Sequence, residues 1–289
     1  MGAEKSDLIK VALAQINTEP GNISANMERH IEIITEAEKL HCDLIVFPEL
    51  SLTGKDVSLE DGNVPILYSS PKWEVLKSKS KKISIVAGFI EESEDHNFYI
   101  SQVYIESGEI KYIHRKIYPY SSAKCREYQI FGRGNKIRAF NTKFGRMGIM
   151  LSGDAEHISV PYLLALDGAD IIINPSAVSE KEITDENEKK YRDDNELMLG
   201  VYSKVFGVYT VFTNKVGEEN GTIFTGKSRV IDPCGEWALS AKCKEEDLLV
   251  TFIDKSKISK VRHTNHNLRD ENLFVVKNEL ERLIKKLYE

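Results

Sequence analysis

The chain has 289 residues, of which 41% are hydrophobic and 29% are charged, a composition typical of a globular protein with a sizeable core. Its 39 Lys and Arg residues against 45 Asp and Glu residues give a formal net charge of −6. Because this acidic excess is spread along the chain without a clustered basic face, the sequence predicts no nucleic-acid partner.

Cysteine usage and apolar runs exclude further classes of protein. The four cysteines form no CxxC pair, so they indicate neither a disulfide framework nor a zinc site. The N-terminal segment lacks the apolar stretch of a signal peptide, and no apolar run reaches the roughly 18 residues of a membrane span. We therefore expect a cytoplasmic protein with no membrane partner, no metal and no cofactor.

Strand and helix patterns alternate in the first part of the chain. The predicted strand at 43–49 contains a continuous apolar run that ends at Pro48, as expected of a strand buried on both faces. Residues 24–40 carry apolar side chains at helical spacing, with Ser24 as the expected N-cap. The predicted elements are strands over 9–16, 43–49 and 83–91 and helices over 24–40 and 73–82.

The middle of the chain shows hairpin patterns before the alternation returns. Ser107-Gly108 is a turn signal between two strand patterns, and a later hairpin is expected around Asp232-Pro233-Cys234-Gly235. The predicted strands are 99–106, 109–116, 137–140, 147–151, 169–174, 208–213, 223–231, 236–240 and 248–253, and the predicted helices are 160–166 and 187–206.

Two segments, CDLIVFPELS and ADIIINPSAV, are similar to each other as buried strands that end in proline-containing loops. This similarity predicts two α/β halves whose sheets pack face to face with helices outside. No linker rich in Pro, Gly or Ser divides the chain, so we expect a single domain over 1–289, with a core at about 8–255 and a tail and helix at about 256–289.

The C-terminal helix pattern carries an apolar stripe, and the sequence leaves the partner of this stripe open. The stripe consists of Leu273, Val276, Leu280, Leu283 and Leu287. Docking on the chain's own core and contact with another subunit both fit the pattern.

Three polar residues stand at the ends of predicted strands, namely Glu49, Lys116 and Ser152. Ligands bind beyond the carboxyl ends of strands in open α/β sheets, so these side chains are candidates for one cleft. There they would supply a base, an oxyanion stabiliser and a nucleophile. Isolated charges at strand ends usually mark only where a core stops, and from the residues alone this second interpretation is the stronger.

Short blocks around these residues follow one another in a characteristic order. They are Ala14-Gln15; Phe47-Pro48-Glu49-Leu50 with Thr53-Gly54; His114-Arg115-Lys116; Glu127 ahead of Phe131 and Gly134; 148–154; 166–170; Asn174-Pro175-Ser176; Asn214 with Gly217; and 232–235. In this order and spacing the blocks resemble the nitrilase, or carbon–nitrogen hydrolase, superfamily over most of the chain.

This resemblance implies a four-layer α-β-β-α sandwich and an amidase-like site that hydrolyses a carbon–nitrogen bond through Glu, Lys and Cys. Glu49 is then the base, and Lys116 stabilises the developing negative charge together with the backbone N–H of Gly153. Glu127 orients the lysine and the substrate. Glu127, Gly153 and Asn174 are the implied substrate-binding residues, and Glu49, Lys116 and Ser152 occupy the catalytic positions.

The chain departs from the family pattern at the nucleophile, where Ser152 stands in place of cysteine. A thiol, with a pKa of about 8.5, ionises far more readily than a serine hydroxyl. After Asp154 the family usually has Phe-Pro-Glu and then Arg, whereas this chain has His157-Ile158-Ser159 and later Tyr162.

Three accounts of Ser152 remain open. It is an introduced Cys→Ser change that leaves an inactive or weak enzyme, a natural residue in a chain that binds a small amide without cleaving it, or a working serine nucleophile. The retained Glu49, Lys116 and Glu127 favour the first account, and the changes after Asp154 favour the second.

The resemblance also implies a small-molecule amide or N-carbamoyl substrate and a homodimer or higher homo-oligomer. The loops expected to line the substrate pocket, 118–126 and 177–186, are polar and mixed in charge, so they do not single out one substrate. The dimer is expected to use the helices at 160–166 and 187–206, with the C-terminal segment crossing to the second subunit.

Overall fold

The computed structural model describes residues 7–57, 59, 64–120, 127–179, 188–237 and 239–288, with the backbone alone for 188–196. Most of the two predicted pocket loops, 118–126 and 177–186, lies outside these residues. The helices are α1 (Ile23–Lys39), α2 (Trp73–Lys79), α3 (Glu127–Ile130), α4 (Ser159–Leu166), α5 (Glu188–Phe206), α6 (Lys255–Thr264) and α7 (Leu273–Tyr288), and Ser152–Glu156 forms a 3₁₀ turn. The strands are β1 (Leu8–Gln15), β2 (Leu44–Val46), β3 (Ile66–Leu67), β4 (Ser84–Glu92), β5 (Phe98–Glu106), β6 (Glu109–Arg115), β7 (Phe140–Thr142), β8 (Gly145–Ile149), β9 (Ile171–Ser176), β10 (Tyr209–Asn214), β11 (Val216–Glu219), β12 (Thr222–Thr225), β13 (Arg229–Ile231) and β14 (Asp247–Asp254).

Two sheets with parallel centres form the middle of the molecule. The first has the strand order β14-β1-β2-β4-β5-β6, with β3 paired to the end of β4, and its strands β1, β2 and β4 are parallel. The second has the order β13-β10-β9-β8-β7, with β8, β9 and β10 parallel. Antiparallel strands flank both centres. The two sheets therefore share one plan, as the similarity of the two strand segments predicts.

The alternation of side chains along β1 shows how the layers pack. Val11 lies in a buried cluster with Ile149 and Ile173 of the second sheet. Its neighbour Ala12 lies in a different cluster, with Ile34 of α1. Because successive side chains of a strand point to opposite faces, the first sheet is covered by the second sheet on one side and by α1 and α2 on the other.

The outer face of the second sheet is covered in the same way. Ile172 of β9 packs with Leu164 of α4 and Leu199 of α5. Helices, sheet, sheet and helices thus follow one another, and this is the four-layer α-β-β-α sandwich that the resemblance implied.

The predicted N-cap of α1 is wrong by two residues. Asn22, rather than Ser24, precedes the helix, and its side-chain oxygen accepts a hydrogen bond from the backbone N–H of Ala25 at 3.2 Å. Asparagine is as good a cap as serine, so the sequence alone did not decide between the two positions.

The hairpin predicted for 223–231 with 236–240 is confirmed only in part. The first of these segments is two strands, since β12 pairs with β11 and β13 pairs with β10. Gly226 and Lys227 both have positive φ, and this bends the chain between the two strands. After the turn at 232–235, where the N–H of Asp232 donates to the carbonyl of Glu236 at 2.8 Å, the chain returns antiparallel through isolated bridges of Arg229 with Ser240 and Gly226 with Cys243.

The C-terminal helix α7 contains no buried residue between Leu273 and Tyr288. Its apolar stripe therefore does not dock on the chain's own core, and this alternative is wrong.

Across the described ranges, no helix combines the length and the apolar character needed to cross a membrane.

Candidate active site

Three strand ends and one short helix bring four polar side chains together. Glu49 follows β2, Lys116 follows β6 and Ser152 follows β8, while Glu127 begins α3. Lys116 Nζ is 2.9 Å from Glu49 Oε1 and 2.8 Å from Glu127 Oε2, and Ser152 Oγ donates to Glu49 Oε2 at 2.5 Å. Since β2 and β6 belong to the first sheet and β8 to the second, the site lies where the ends of the two sheets meet.

Close backbone packing fixes the position of Glu49. The chain leaves β2 at Val46, earlier than the sequence predicted, and Leu50 directly after Glu49 adopts a left-handed φ of 56°. Gly88 on the neighbouring strand β4 makes this turn feasible, because a Cβ there would lie 2.3 Å from Leu50 N and 2.6 Å from Pro48 O. Any side chain at Gly88 would therefore push the Glu49 loop out of place.

Ser152 stands at a strained turn. Its φ of 36° is unusual for a residue with a side chain, and such outliers persist where the surroundings over-determine them. Its Oγ accepts a hydrogen bond from the backbone N–H of Ala177 at 3.1 Å, in addition to the one that it donates to Glu49. Asn174 donates to the carbonyl of Met150 at 3.0 Å and so ties the serine loop to β9. The substrate-binding role of Asn174 stays a prediction.

Asp154 links the two halves of the site, a role that sequence reasoning did not assign. Its Oδ1 accepts the backbone N–H groups of Ile117 and Tyr118, both at 2.9 Å. Its Oδ2 accepts the N–H of Leu151 and the ring nitrogen Nε2 of His114, both at 3.0 Å. A fully buried carboxylate thus holds the chain after Lys116 against the chain before Ser152.

The side chain of Tyr120 packs beside the charged groups. Its ring lies over Lys116 Nζ, 4.5 Å from the ring centre, and its N–H donates to Glu127 Oε2 at 3.0 Å. A Cβ at position 153 would lie 3.1 Å from the same ring, so a glycine at this position leaves space for the Tyr120 ring. The hydroxyl of Tyr120 also donates to Glu156 at 3.1 Å, which connects this side chain to the 3₁₀ turn that begins at Ser152.

Lys55, which follows the Thr53-Gly54 block, is a second cation at the site. Its Nζ is 3.7 Å from Glu127 Oε1 and donates to the carbonyl of Ala177 at 3.4 Å. Its position next to a motif residue is the signal that could have identified it from the sequence.

Within the described ranges, no group of three or more His, Cys, Asp or Glu side chains is placed to hold a metal ion.

Burial and neighbouring charges make the two carboxylates different. Burial raises the pKa of Glu49; Lys116 opposes this effect without overcoming it, and the charge of Glu127 adds to it. Burial also raises the pKa of Glu127, but Lys116, Lys55 and the N–H of Tyr120 outweigh it and lower this pKa to about 2. Burial lowers the pKa of Lys116, and the two carboxylates more than reverse this, so its pKa is raised. The site therefore holds a fixed ion pair, Lys116 with Glu127, beside a carboxylate that takes up protons readily.

Comparison with known proteins agrees with this architecture. The family model for carbon–nitrogen hydrolases matches residues 10–263. A nitrilase of Pyrococcus abyssi is 30% identical over 254 residues, which cover 86% of this chain and 90% of that protein. A carbon–nitrogen hydrolase from Helicobacter pylori G27 has a similar crystal structure, with a TM-score of 0.86 and 23% identity, covering 94% of this chain and 98% of the other.

A longer relative matches over only part of its length. The glutamine-dependent NAD⁺ synthetase of Acinetobacter baylyi is 28% identical over 248 residues, which cover 85% of this chain and 44% of the synthetase. This chain therefore spans less than half the length of that relative. The family model itself matches the chain from β1 to α6 and includes Glu49, Lys116 and Ser152. The chain belongs to the carbon–nitrogen hydrolase family.

Proposed function

We propose that the site acts on a small carboxamide or N-carbamoyl compound through a nucleophile at position 152, and that serine at this position leaves the enzyme inactive or weak. The observation that carries the proposal is the hydrogen-bonded series from Ser152 through Glu49 and Lys116 to Glu127. A nucleophile, a base and a cation in contact are what acyl transfer requires.

The reaction follows from these contacts. The nucleophile attacks the amide carbon while Glu49 takes its proton, and Lys116 stabilises the negative charge that develops on the carbonyl oxygen. Glu49 then gives the proton to the leaving nitrogen, which departs as ammonia or an amine and leaves an acyl-enzyme. Water, deprotonated by Glu49, attacks the acyl carbon, and the proton returns to the nucleophile as the acid is released.

Glu127 supports recognition of an amide nitrogen. Among the described residues, its Oε1 atom is buried and has no hydrogen-bond donor within reach. A buried carboxylate oxygen is costly unless a donor is present, and the N–H group of a carboxamide or carbamoyl compound would be such a donor.

A working serine nucleophile is the second candidate, and one contact favours it. Ser152 Oγ donates a hydrogen bond directly to Glu49, and burial raises the pKa of that carboxylate. A buried base in direct contact with the hydroxyl is the arrangement that serine activation requires.

The proposed function is tested by ammonia release from a panel of small amides, N-carbamoyl compounds and nitriles. Both the unmodified chain and its Ser152→Cys variant are assayed, and binding of each compound to the unmodified chain is measured by calorimetry. We expect turnover of at least one amide or carbamoyl compound by the variant. If none of the amides and N-carbamoyl compounds in the panel binds or reacts, the proposed substrate class is contradicted.

The acid limb of the pH profile should belong to Glu49. In the Ser152→Cys variant, we expect kcat/KM to fall as the pH drops through the raised pKa of Glu49, above the usual value of about 4.3 for a glutamate. The base acts only when ionised, so protonation lowers the rate, while Glu127, with a pKa of about 2, stays ionised throughout. The check is kcat/KM measured from neutral pH downward. A rate that stays constant down to the usual glutamate value would contradict this assignment.

We also propose a homodimer that buries the outer face of α4 and α5. Several apolar side chains there are exposed: Ile158, Leu163, Leu197, Val201 and Val205. The exposed stripe of α7 adds a further apolar surface. Apolar patches of this kind mark interaction surfaces, and a symmetric dimer is the commonest assembly that covers them.

Light scattering at micromolar concentration should report the mass of a dimer. Val201→Asp, which places a charge in the proposed interface, should shift the mass toward the monomer. Tyr68→Asp, at an exposed aromatic residue away from α4 and α5, should leave the dimer intact. A monomeric unmodified chain would remove the proposal.

A further inference from the structure

We propose that His30 is a positioning residue for Glu49, because its neutral imidazole holds the loop on both sides of this base. The inference rests on the proposed function, since it concerns the base of that same site. It follows from three observations: the burial of polar side chains on α1, the contacts of His30 with the residues that flank Glu49, and the direction of its hydrogen bonds.

The buried face of α1 carries two polar side chains among its apolar ones. Asn26 and His30 lie one turn apart, and the other buried residues of the helix are apolar. A buried polar group is costly unless it is hydrogen-bonded, and both side chains bind the loop that follows Glu49. Asn26 donates to the carbonyl of Leu52 at 3.1 Å, and His30 contacts Ser51. The helix is therefore fastened to this loop at two points.

His30 contacts the chain on either side of Glu49. Its ring stacks on Phe47, two residues before the base, with ring centres 4.0 Å apart and planes at 24°. Its Nε2 atom lies 3.0 Å from Ser51 Oγ, two residues after the base. Between these two contacts Leu50 adopts its left-handed φ of 56°, a conformation that persists where the surroundings over-determine it. The imidazole is part of those surroundings, together with the close approach of β4.

The hydrogen bonds of His30 can run in one direction only. The carbonyl of Asn26, 2.7 Å from Nδ1, can only accept, so Nδ1 carries the proton and Nε2 is the acceptor. Ser51 then donates its hydroxyl proton to Nε2, while its Oγ accepts the N–H of Gly88 at 3.1 Å. Burial lowers the pKa of His30 to about 4, so the ring is neutral near pH 7, as this arrangement requires. These contacts join α1 to β4 through the loop that carries Glu49.

The reaction depends on this loop because the carboxylate of Glu49 meets two partners at once. Its Oε1 lies 2.9 Å from Lys116 Nζ, and its Oε2 accepts the hydroxyl of Ser152. A loop that shifts would disturb both contacts, and misplacing a reacting group by about 1 Å costs about 10²-fold in rate. Both ring nitrogens of His30 bind outside the reacting groups, so the residue acts through the base.

A buried histidine can also serve packing alone, and two amide residues separate the two roles. Glutamine at position 30 places a side-chain oxygen near the place of Nε2, where it can still accept the hydroxyl of Ser51. Asparagine reaches only the place of Nδ1 and loses that link. Both changes remove the ring that stacks on Phe47, so a packing role predicts similar effects for the two.

The experiment uses the Ser152→Cys variant and an amide that it hydrolyses. We expect His30→Asn to lower kcat about tenfold or more with little change in KM, because a misplaced base slows the chemical step and leaves binding intact. His30→Gln should keep most of the kcat. Ser51→Ala should lower kcat at least as far as His30→Asn, and adding His30→Asn to it should lower kcat little further, since both remove the same link.

Leu76→Ala, in the buried cluster between α2 and the same face of the first sheet, is the matched control. It should lower the free energy of unfolding in urea, while the folded enzyme keeps its kcat. Equal kcat values in His30→Asn and His30→Gln, or losses that appear in KM alone, would overturn the positioning role and leave the hydrolase intact.

A second measurement decides the inference if the Ser152→Cys variant hydrolyses no amide, in which case the proposed function fails. Alkylation of the introduced thiol by iodoacetamide near pH 7 requires the thiolate, which Glu49 helps to form. Peptide mass spectrometry distinguishes this thiol from the four native cysteines. We expect slower alkylation in His30→Asn than in His30→Gln. Equal rates in these two forms, or a thiol that does not react in the parent variant, would overturn the inference.

Discussion

Changing Ser152 to cysteine is expected to raise ammonia release from an accepted amide by several orders of magnitude. The contacts that would serve a thiol are already present, since the side chain at this position lies against Glu49 and the N–H of Ala177. The substitution replaces the oxygen by a larger sulfur atom and leaves the backbone and the rest of the side chain unchanged, so the strained turn and its neighbours should persist. The gain comes from the chemistry of the nucleophile and not from a rebuilt site.

The size of this effect follows from matching proton affinities. A thiol has a pKa of about 8.5, and a carboxylate whose pKa is raised by burial takes a proton from it at modest cost. A serine hydroxyl is far less acidic, so the same transfer from Ser152 to Glu49 lies much further uphill. The ammonium group of Lys116 lowers the cost in both cases, and the difference between the two nucleophiles therefore remains.

Three variants distinguish the accounts of Ser152. The unmodified chain, Ser152→Ala and Ser152→Cys are assayed on the same amide panel. Activity only in the cysteine form supports a replaced nucleophile. Turnover by the unmodified chain that is lost in Ser152→Ala supports a working serine. Binding without turnover in all three forms supports a binding protein, in which the changed residues after Asp154 no longer position a nucleophile.

The positions of Glu49, Lys116 and Ser152 were accessible from the sequence because each stands at the end of a predicted strand. Buried apolar runs stop at Glu49 and before Ser152, and the second strand of a hairpin stops at Lys116. Strand periodicity gives these positions, but it does not show that strands of different sheets bring their ends together. The order of the motif blocks supplied that information, and the geometry of the sandwich explains it.

Two carboxylates that hold loops of the site were missed because their contacts are with distant backbone groups. Asp154 binds N–H groups 36 and 37 residues away, and Glu219 binds the N–H of Lys55 164 residues away. No local pattern encodes such pairs. A carboxylate in a motif looks the same in sequence whether it binds substrate, backbone or solvent.

Removing the charge of Asp154 is expected to destabilise the fold and to disable the nucleophile at once. In Asp154→Asn, an amide NH₂ group replaces one carboxylate oxygen. It faces either the N–H of Leu151 or the N–H groups of Ile117 and Tyr118, so hydrogen-bond donors face each other without an acceptor. Buried donors without acceptors cost about 1–3 kcal/mol each, and we expect a loss of about 2–4 kcal/mol in the free energy of unfolding. Urea denaturation measures this loss, and Asp270→Asn, at an exposed aspartate whose carboxylate pairs with its neighbour Arg269, is the matched control.

Activity gives a second readout that stability alone does not predict. In the Ser152→Cys background and under conditions where both proteins are folded, Asp154→Asn should lower kcat by about 10²-fold, because a displacement of about 1 Å at the nucleophile has effects of this size. KM should change much less, since Asp154 contacts the backbone on either side of the site and not the proposed substrate. A variant that loses stability but keeps its kcat would show that Asp154 holds the fold without setting the geometry of Lys116 and the nucleophile. Unchanged stability would contradict the hydrogen bonds on which the argument depends.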